Sequence, residues 1–270
     1  MNALLVYIAT VATLLFGAGI LHCITRLGRP GRRISDWLCH APALDVVLFY
    51  FTAVPAIVGA ILAGWAGLGA AIGGQFSAML LWVALHELAH PAARKEPRIF
   101  STINRLVGRW RNHFALWWTA WAVPGFWAIR LGQYLVYPPL TWTVRLPKYR
   151  SRDWVNLSRH KFRGLVGYDL IWCLYCDWMT GVWSLSAEML RNVESFWCPI
   201  RFDSTKKCEH CQVDFPDIVG GWIAPDGTMQ DVAALLQEKY PAGRQSNPWF
   251  GHPARLTIDG ETIDQDEGDR

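Results

Sequence analysis

Uncharged apolar runs alternate with clusters of arginine along the first 113 residues. Residues 3–22 carry no Asp, Glu, Lys or Arg. As a helix rising about 1.5 Å per residue they reach about 30 Å, the thickness of a bilayer core. Arg26, Arg29, Arg32 and Arg33 follow at once, and residues 46–85 are then uncharged again. That second run exceeds one span, and Gly64, Gly67, Gly69, Gly73 and Gly74 offer places to turn. The pattern predicts spans over about 3–22, 46–64 and 69–90. The next basic stretch holds Arg94, Lys95, Arg98, Arg105, Arg109 and Arg111. The excess of Lys and Arg in cytoplasmic loops places both basic segments in the cytoplasm and the N-terminus outside. Met1-Asn2-Ala3 lacks the basic start of a signal peptide, and His22 stands where a lipoprotein cleavage box wants a small residue, so the first run reads as an uncleaved anchor.

Residues 114–142 are apolar but crowded with Trp117, Trp118, Trp121 and Trp127, broken by Pro124-Gly125 and followed by Arg130. Both flanks are basic, which favours an interfacial helix or re-entrant hairpin over a crossing. From Gly164 to about Glu194 the pattern is a long helix. Asp169, Cys173, Cys176 and Asp177 share one face of it, and a helix with two aspartates there packs on the membrane surface or on the spans. Beyond Cys198-Pro199 the chain is polar. Thr228-Met229-Gln230-Asp231 has the form of a capping box opening a short helix that Pro241 and Gly243 close. The predicted fold is therefore mainly α. A helical transmembrane domain over 1–142 is joined to a small cytoplasmic α/irregular module over 143–255, and an acidic disordered tail occupies 256–270.

Composition strengthens the membrane reading. Hydrophobic residues make up 52% of the 270-residue chain, its mean hydropathy is +0.13, and it carries 16 Trp, a residue that gathers at membrane–water boundaries. The net charge of +4 is too small to imply nucleic acid. The basic stretch 143–163 lies between apolar and amphipathic segments, where anionic headgroups are the expected partner. Membrane lipids are thus expected partners and nucleic acid is not.

The sharpest chemical motif is His86-Glu87-Leu88-Ala89-His90 at the end of the third span. On a helix the two imidazoles lie one turn apart and can share a metal ion, while Glu87 can act as a general base toward metal-bound water. A third ligand is required, and His113, His160, Asp45 and Glu96 are the candidates. Two families share parts of this segment. H-E-x-x-H in a span is similar to intramembrane site-2-type metallopeptidases, which also carry an Asp-Gly motif in a later span; here Asp226-Gly227 and Asp259-Gly260 lie in the polar part. LHELAH followed by Asn104-Arg105-Leu106-Val107-Gly108 resembles the first histidine box of membrane fatty-acid desaturases and hydroxylases, over roughly 25 residues. That resemblance implies iron on His86 and His90 at the cytoplasmic end of a transmembrane hairpin. The family's two further H-x-x-H-H boxes are absent from this sequence.

Seven cysteines, an odd number, argue against a closed disulfide framework. Cys173-Leu174-Tyr175-Cys176 and Cys208-Glu209-His210-Cys211 are two C-x-x-C pairs of the kind that hold zinc or iron in a Cys₄ site, with Cys198 between them. The bland alternative is that Cys173 and Cys176 pack in the core and only the distal pair binds. His22, Cys23, Cys39 and His40 flank the first basic loop and form a weaker candidate group. Two functions follow from the sequence. The first is an integral inner-membrane metalloprotein, its C-terminal half cytoplasmic, with a Cys-ligated module and an H-E-x-x-H catalytic site acting on a membrane substrate. The second is a non-catalytic accessory or assembly subunit of a larger membrane complex, with a structural zinc or iron.

Overall fold

The computed structural model describes residues 2–24, 26–162, 164–203, 221–240, 255–256 and 262–263. The chain is mainly helical, and two helices are long and apolar enough to cross a membrane, α1 (Ala3–Ile24) and α3 (Ala43–Ala89). Leu4, Ile8, Phe16, Ile57, Ile61 and Leu85 are among their exposed apolar side chains. Only 17% of the most apolar stretch of α1 and 11% of that of α3 is buried. A core helix of a water-soluble protein would be mostly covered; these offer their apolar faces outward, as lipid contact requires.

α3 is folded back on itself. Its helical path breaks at Ala63 and Gly64, where Gly64 adopts φ 58°. Glycine tolerates that left-handed conformation at no steric cost. The two arms, 43–62 and 65–89, then run antiparallel. Gln75 Nε2 donates to the carbonyls of Phe51 (2.8 Å) and Thr52 (2.7 Å), and Gly59 and Gly67 face each other so closely that a Cβ on either would strike the other's carbonyl. The turn therefore lies at 63–64, slightly before the 64–69 expected from the glycine run. α1 packs beside both arms. Tyr50 Oη donates to Thr13 O, and Tyr7 Oη to Ser77 Oγ at 2.7 Å. Its C-terminal His22 meets His86 and His90, with ring centroids 5.7 and 5.6 Å apart. The basic segments 26–33 and 94–111 consequently leave the bundle at the same end.

The chain divides into two compact units. One comprises residues 1–130 and 150–185, the other 131–149 and 186–270. In the first unit, α2 (Gly28–Leu38) leads into the hairpin, and after it come α4 (Pro91–Arg94), α5 (Ile99–Val107), α6 (Arg109–Thr119), a 3₁₀ turn at Ala120–Ala122 and α7 (Val123–Leu135). The path from α6 to α7 runs across the hairpin. Trp117 touches Phe76 on one arm at 4.9 Å between centroids, and Trp127 touches Phe49 on the other at 5.4 Å. The Gln75 hydrogen bonds put those two places at similar height. α6, the 3₁₀ turn and α7 follow one another without an extended break. After the short α9 (Ser151–Trp154), α10 (Gly167–Trp197) begins three residues later than the pattern places it, following Gly164 (φ 96°) and opening on Gly167 (φ 53°). Its first part stacks on the same layer through Trp172 on Trp117 and Trp178 on Trp127.

The second unit holds α8 (Tyr137–Thr143), the end of α10 and α11 (Met229–Lys239). Thr228 and Asp231 form the reciprocal capping box read from the sequence, with Thr228 N donating to Asp231 Oδ2 at 2.7 Å. Trp222 is buried against Phe202, Leu235 and Tyr240. Asn192 bonds the Tyr149 hydroxyl, and burial pushes that hydroxyl's pKa well above the usual range. A two-residue antiparallel pair, Arg255–Leu256 with Thr262–Ile263, straddles the boundary at which the sequence pattern starts the acidic tail.

Candidate functional site

Chemistry-bearing side chains gather at the open end of the hairpin. The H-E-x-x-H segment lies on the last two turns of α3, so His86 and His90 stack one above the other, ring centroids 4.3 Å apart, with Trp82 stacked on the other side of His86 at 4.5 Å. The third imidazole comes from His22 of α1, which none of the sequence arguments joined to this group. His113, His160, Asp45 and Glu96 all make contacts elsewhere. His113 Nδ1 lies 3.3 Å from Tyr168 Oη, and Asp45 is bound by Arg130. His160 sits 3.9 Å from Cys39 Sγ, and Glu96 lies beside Gly164.

Hydrogen-bond roles fix where the imidazole lone pairs point. Gly167 N–H donates to His86 Nδ1 at 3.1 Å, so that nitrogen's lone pair is taken. The Arg26 guanidinium stands 2.8 Å from His22 Nε2, and a guanidinium only donates, so that lone pair is taken as well. His90 Nδ1 lies 2.9 Å from the carbonyl of His86, which only accepts; Nδ1 therefore carries the proton and the lone pair sits on Nε2. A metal–imidazole bond needs a lone pair on each ligand. In this arrangement His90 alone of the three presents one, and an arginine stands beside His22. Among the described residues, no group of three or more His, Cys, Asp or Glu side chains is placed to share an ion.

Glu87 is committed too. Its Oε1 accepts from Arg98 at 3.0 Å, and the same guanidinium donates to Asp169 Oδ2 at 2.8 Å and to the Val166 carbonyl at 2.7 Å. Burial opposes the charge on Arg98, but the bonds and charges of Asp169 and Glu87 outweigh it and raise its pKa. Asp169 also caps α5, accepting from the backbone N–H of Ile99 (3.1 Å) and Phe100 (3.0 Å). A carboxylate at a helix start satisfies otherwise unpaired donors and meets the positive end of the helix dipole. Gly167 completes the knot, because a Cβ there would collide with the Glu87 carboxyl. The H-E-x-x-H segment thus ties the end of α3 to the start of α10 and to α5.

A second buried guanidinium, from α7, sits against the other arm. Arg130 binds Asp45 with both ends of its fork, at 3.1 and 2.7 Å, and Trp178 Nε1 donates to the same carboxylate at 3.3 Å. The polar face of α10 is structural at both ends: Asp169 holds Arg98, and Asp177 accepts from the backbone N–H of Ser158 and Arg159 and pairs with the Arg159 side chain.

Cys173 and Cys176 are half-buried between those aspartates, and both thiols are free. Burial pushes the Cys173 thiol above its ordinary pKa. Cys208 and Cys211 lie outside the described residues, and Cys198 is exposed in the second unit. The group His22, Cys23, Cys39 and His40 is not assembled as expected. His22 lies edge-on to His86 and His90, whereas a β-bridge between His40 and Asn156 brings Cys39 to His160. Burial raises the Cys39 thiol and lowers the His160 imidazole, so both are held neutral, the opposite of an activated thiolate–imidazolium pair. Comparison with protein-family models, with curated proteins and with solved structures finds no match to this chain.

Proposed function

We propose that this chain is an integral membrane protein of the non-catalytic, accessory or assembly class, in which the H-E-x-x-H segment is an architectural tie. One observation carries the reading: the Glu87 carboxylate is bound to Arg98 within a network shared with Asp169. A general base must be within reach of a proton it can remove; a carboxylate held by a guanidinium and covered by Gly167 is instead a positioning group. On this reading the spans sit in an inner membrane with both basic segments in the cytoplasm, and the polar C-terminal half is cytoplasmic. Cys208 and Cys211 hold a structural zinc or iron there, with or without Cys173 and Cys176. The partner is a larger membrane complex.

A second reading has a specific observation behind it. Three imidazoles within 6 Å of one another, by the centroid distances above, would suit a metal-dependent enzyme of the hydrolase or desaturase-like kind with His22 as third ligand. It requires both the Gly167 N–H and Arg26 to release their acceptors. Extraction of wild type and Glu87→Gln from membranes, followed by native sizing and elemental analysis, separates the two. The accessory reading expects Glu87→Gln to keep the metal content and to shift the chain out of its complex. An enzyme using Glu87 as base would keep both metal and complex and lose about 10²–10⁴-fold in turnover.

A further inference from the structure

The outer face of α6 takes no part in the tie just described. Trp110, Phe114, Trp118 and Trp121 are all exposed, Trp110 to 87%. Their spacing places them along one stripe of the helical path. The adjoining flank of the helix packs inward, with Trp117 on Phe76 and Trp172 and His113 against Tyr168. The aromatic surface is thus continuous from that packed flank to the exposed stripe, and packing within the unit covers only the flank.

Charge marks the start of the stripe. Arg105, Arg109 and Arg111 are exposed, and no Asp or Glu occurs from Pro97 to Arg152. Arg109, Trp110, His113, Phe114 and Trp117 line a groove of about 640 Å³. Its depth relative to the spans is fixed at two points. His113 lies beside Phe100 and Tyr168, next to the Arg98 that pairs with Glu87 at the end of α3. One turn on, Trp117 touches Phe76, more than two turns inside that arm. The arginines precede the point at which the helix reaches span depth, and the aromatic stripe continues past it.

We propose that this groove binds an anionic phospholipid. The Arg109 guanidinium takes the phosphodiester, Arg105 and Arg111 add attraction for a headgroup with net negative charge, and the Trp110–Phe114–Trp118 stripe lies along the acyl chains. Guanidinium matches phosphate oxygens in fork geometry, and tryptophan favours the boundary between headgroup and chain. The proposal rests on the membrane placement of the spans, and it is independent of whether the histidine segment is catalytic.

The test is native mass spectrometry of the detergent-purified full chain titrated with dioleoylphosphatidylglycerol or dioleoylphosphatidylcholine. The anionic lipid should bind about tenfold tighter, and Arg109→Gln should reduce that preference by about fivefold while leaving phosphatidylcholine binding unchanged. Arg29→Gln, an exposed arginine of the other basic segment, should leave the preference intact. Equal binding of the two lipids by the wild type overturns the proposal. So does an unchanged preference in Arg109→Gln, an equal loss in Arg29→Gln, or displacement of the lipid by inorganic phosphate at matched concentration, which would show an anion site without lipid recognition. A chain that remains soluble without detergent would instead overturn the membrane placement itself.

Discussion

The two ends of the α3 hairpin are built from opposite materials. At the turn end, Gly59 and Gly67 bring two backbones into contact and Gly64 supplies the reversal. At the open end, Arg98 and Arg130 are buried against carboxylates, His86 and His90 stack with His22 edge-on to both, and tryptophans from α6, α7 and α10 close the layer. The turn end depends on an absence of side chain, which lets two helix backbones approach closely. The open end collects charges that must find partners before they can be buried. The same hairpin thus teaches that, in this chain, the ionisable residues at its open end join α5, α7 and α10 to α3.

Breaking the Arg130–Asp45 pair should have the largest effect. Arg130→Met takes the guanidinium away from the buried Asp45 carboxylate, and should destabilise the purified chain by about 3–5 kcal/mol in thermal or denaturant unfolding in detergent. The double variant Asp45→Leu, Arg130→Met should recover most of that loss, because no charge is left unpaired. At the opposite end, Gly67→Val forces a branched side chain onto the Gly59 carbonyl and should cost about 1–3 kcal/mol. Overexpression yield and melting temperature of the variant check this. If Gly67→Val proves as harmful as Arg130→Met, the contrast between the ends is one of chemistry only, not of energy.

Legibility follows the same division. The long apolar helices, the turn in α3 and the Thr228–Asp231 cap are readable because each depends on neighbours in sequence: an uncharged run, a glycine cluster, a residue three positions on. The open end is not. The motif His86-Glu87-Leu88-Ala89-His90 displays ligand spacing on one helix, but the use of Glu87 is decided by Arg98 and by Gly167, and Gly167 is eighty positions away. In sequence His22 groups with Cys39 and His40 because it borders the same loop, whereas the packing of α1 on α3 takes it to His86. The one local sign of the true arrangement was the face Asp169–Asp177: two aspartates on a helix with an apolar surround need cationic partners, and Arg98 and Arg159 are those partners. The roles of Cys208 and Cys211 rest on their C-x-x-C spacing alone.

A smaller effect sharpens the comparison at the edge of the first unit. Burial lowers the pKa of His160 below its ordinary 6.5. The unfolded chain therefore takes up a proton before the folded one as pH falls. Stability contributed by the neutral ring is complete above about pH 6.5 and declines as pH drops from there toward the lowered folded value. The slope of stability against pH between 7.5 and 5.5 should be shallower in His160→Gln than in the wild type. An identical slope would show that His160 is not buried in its neutral form.

The central claim is that the H-E-x-x-H segment ties helices together and does not hold an ion. Elemental analysis of purified wild type and of the His86→Ala, His90→Ala double variant tests it most directly, since both share whatever the cysteines bind. The account predicts the same zinc and iron content per chain in both proteins, with a lower melting temperature in the variant. Loss of one metal equivalent in the variant, with the remainder of the chain folded, would contradict it.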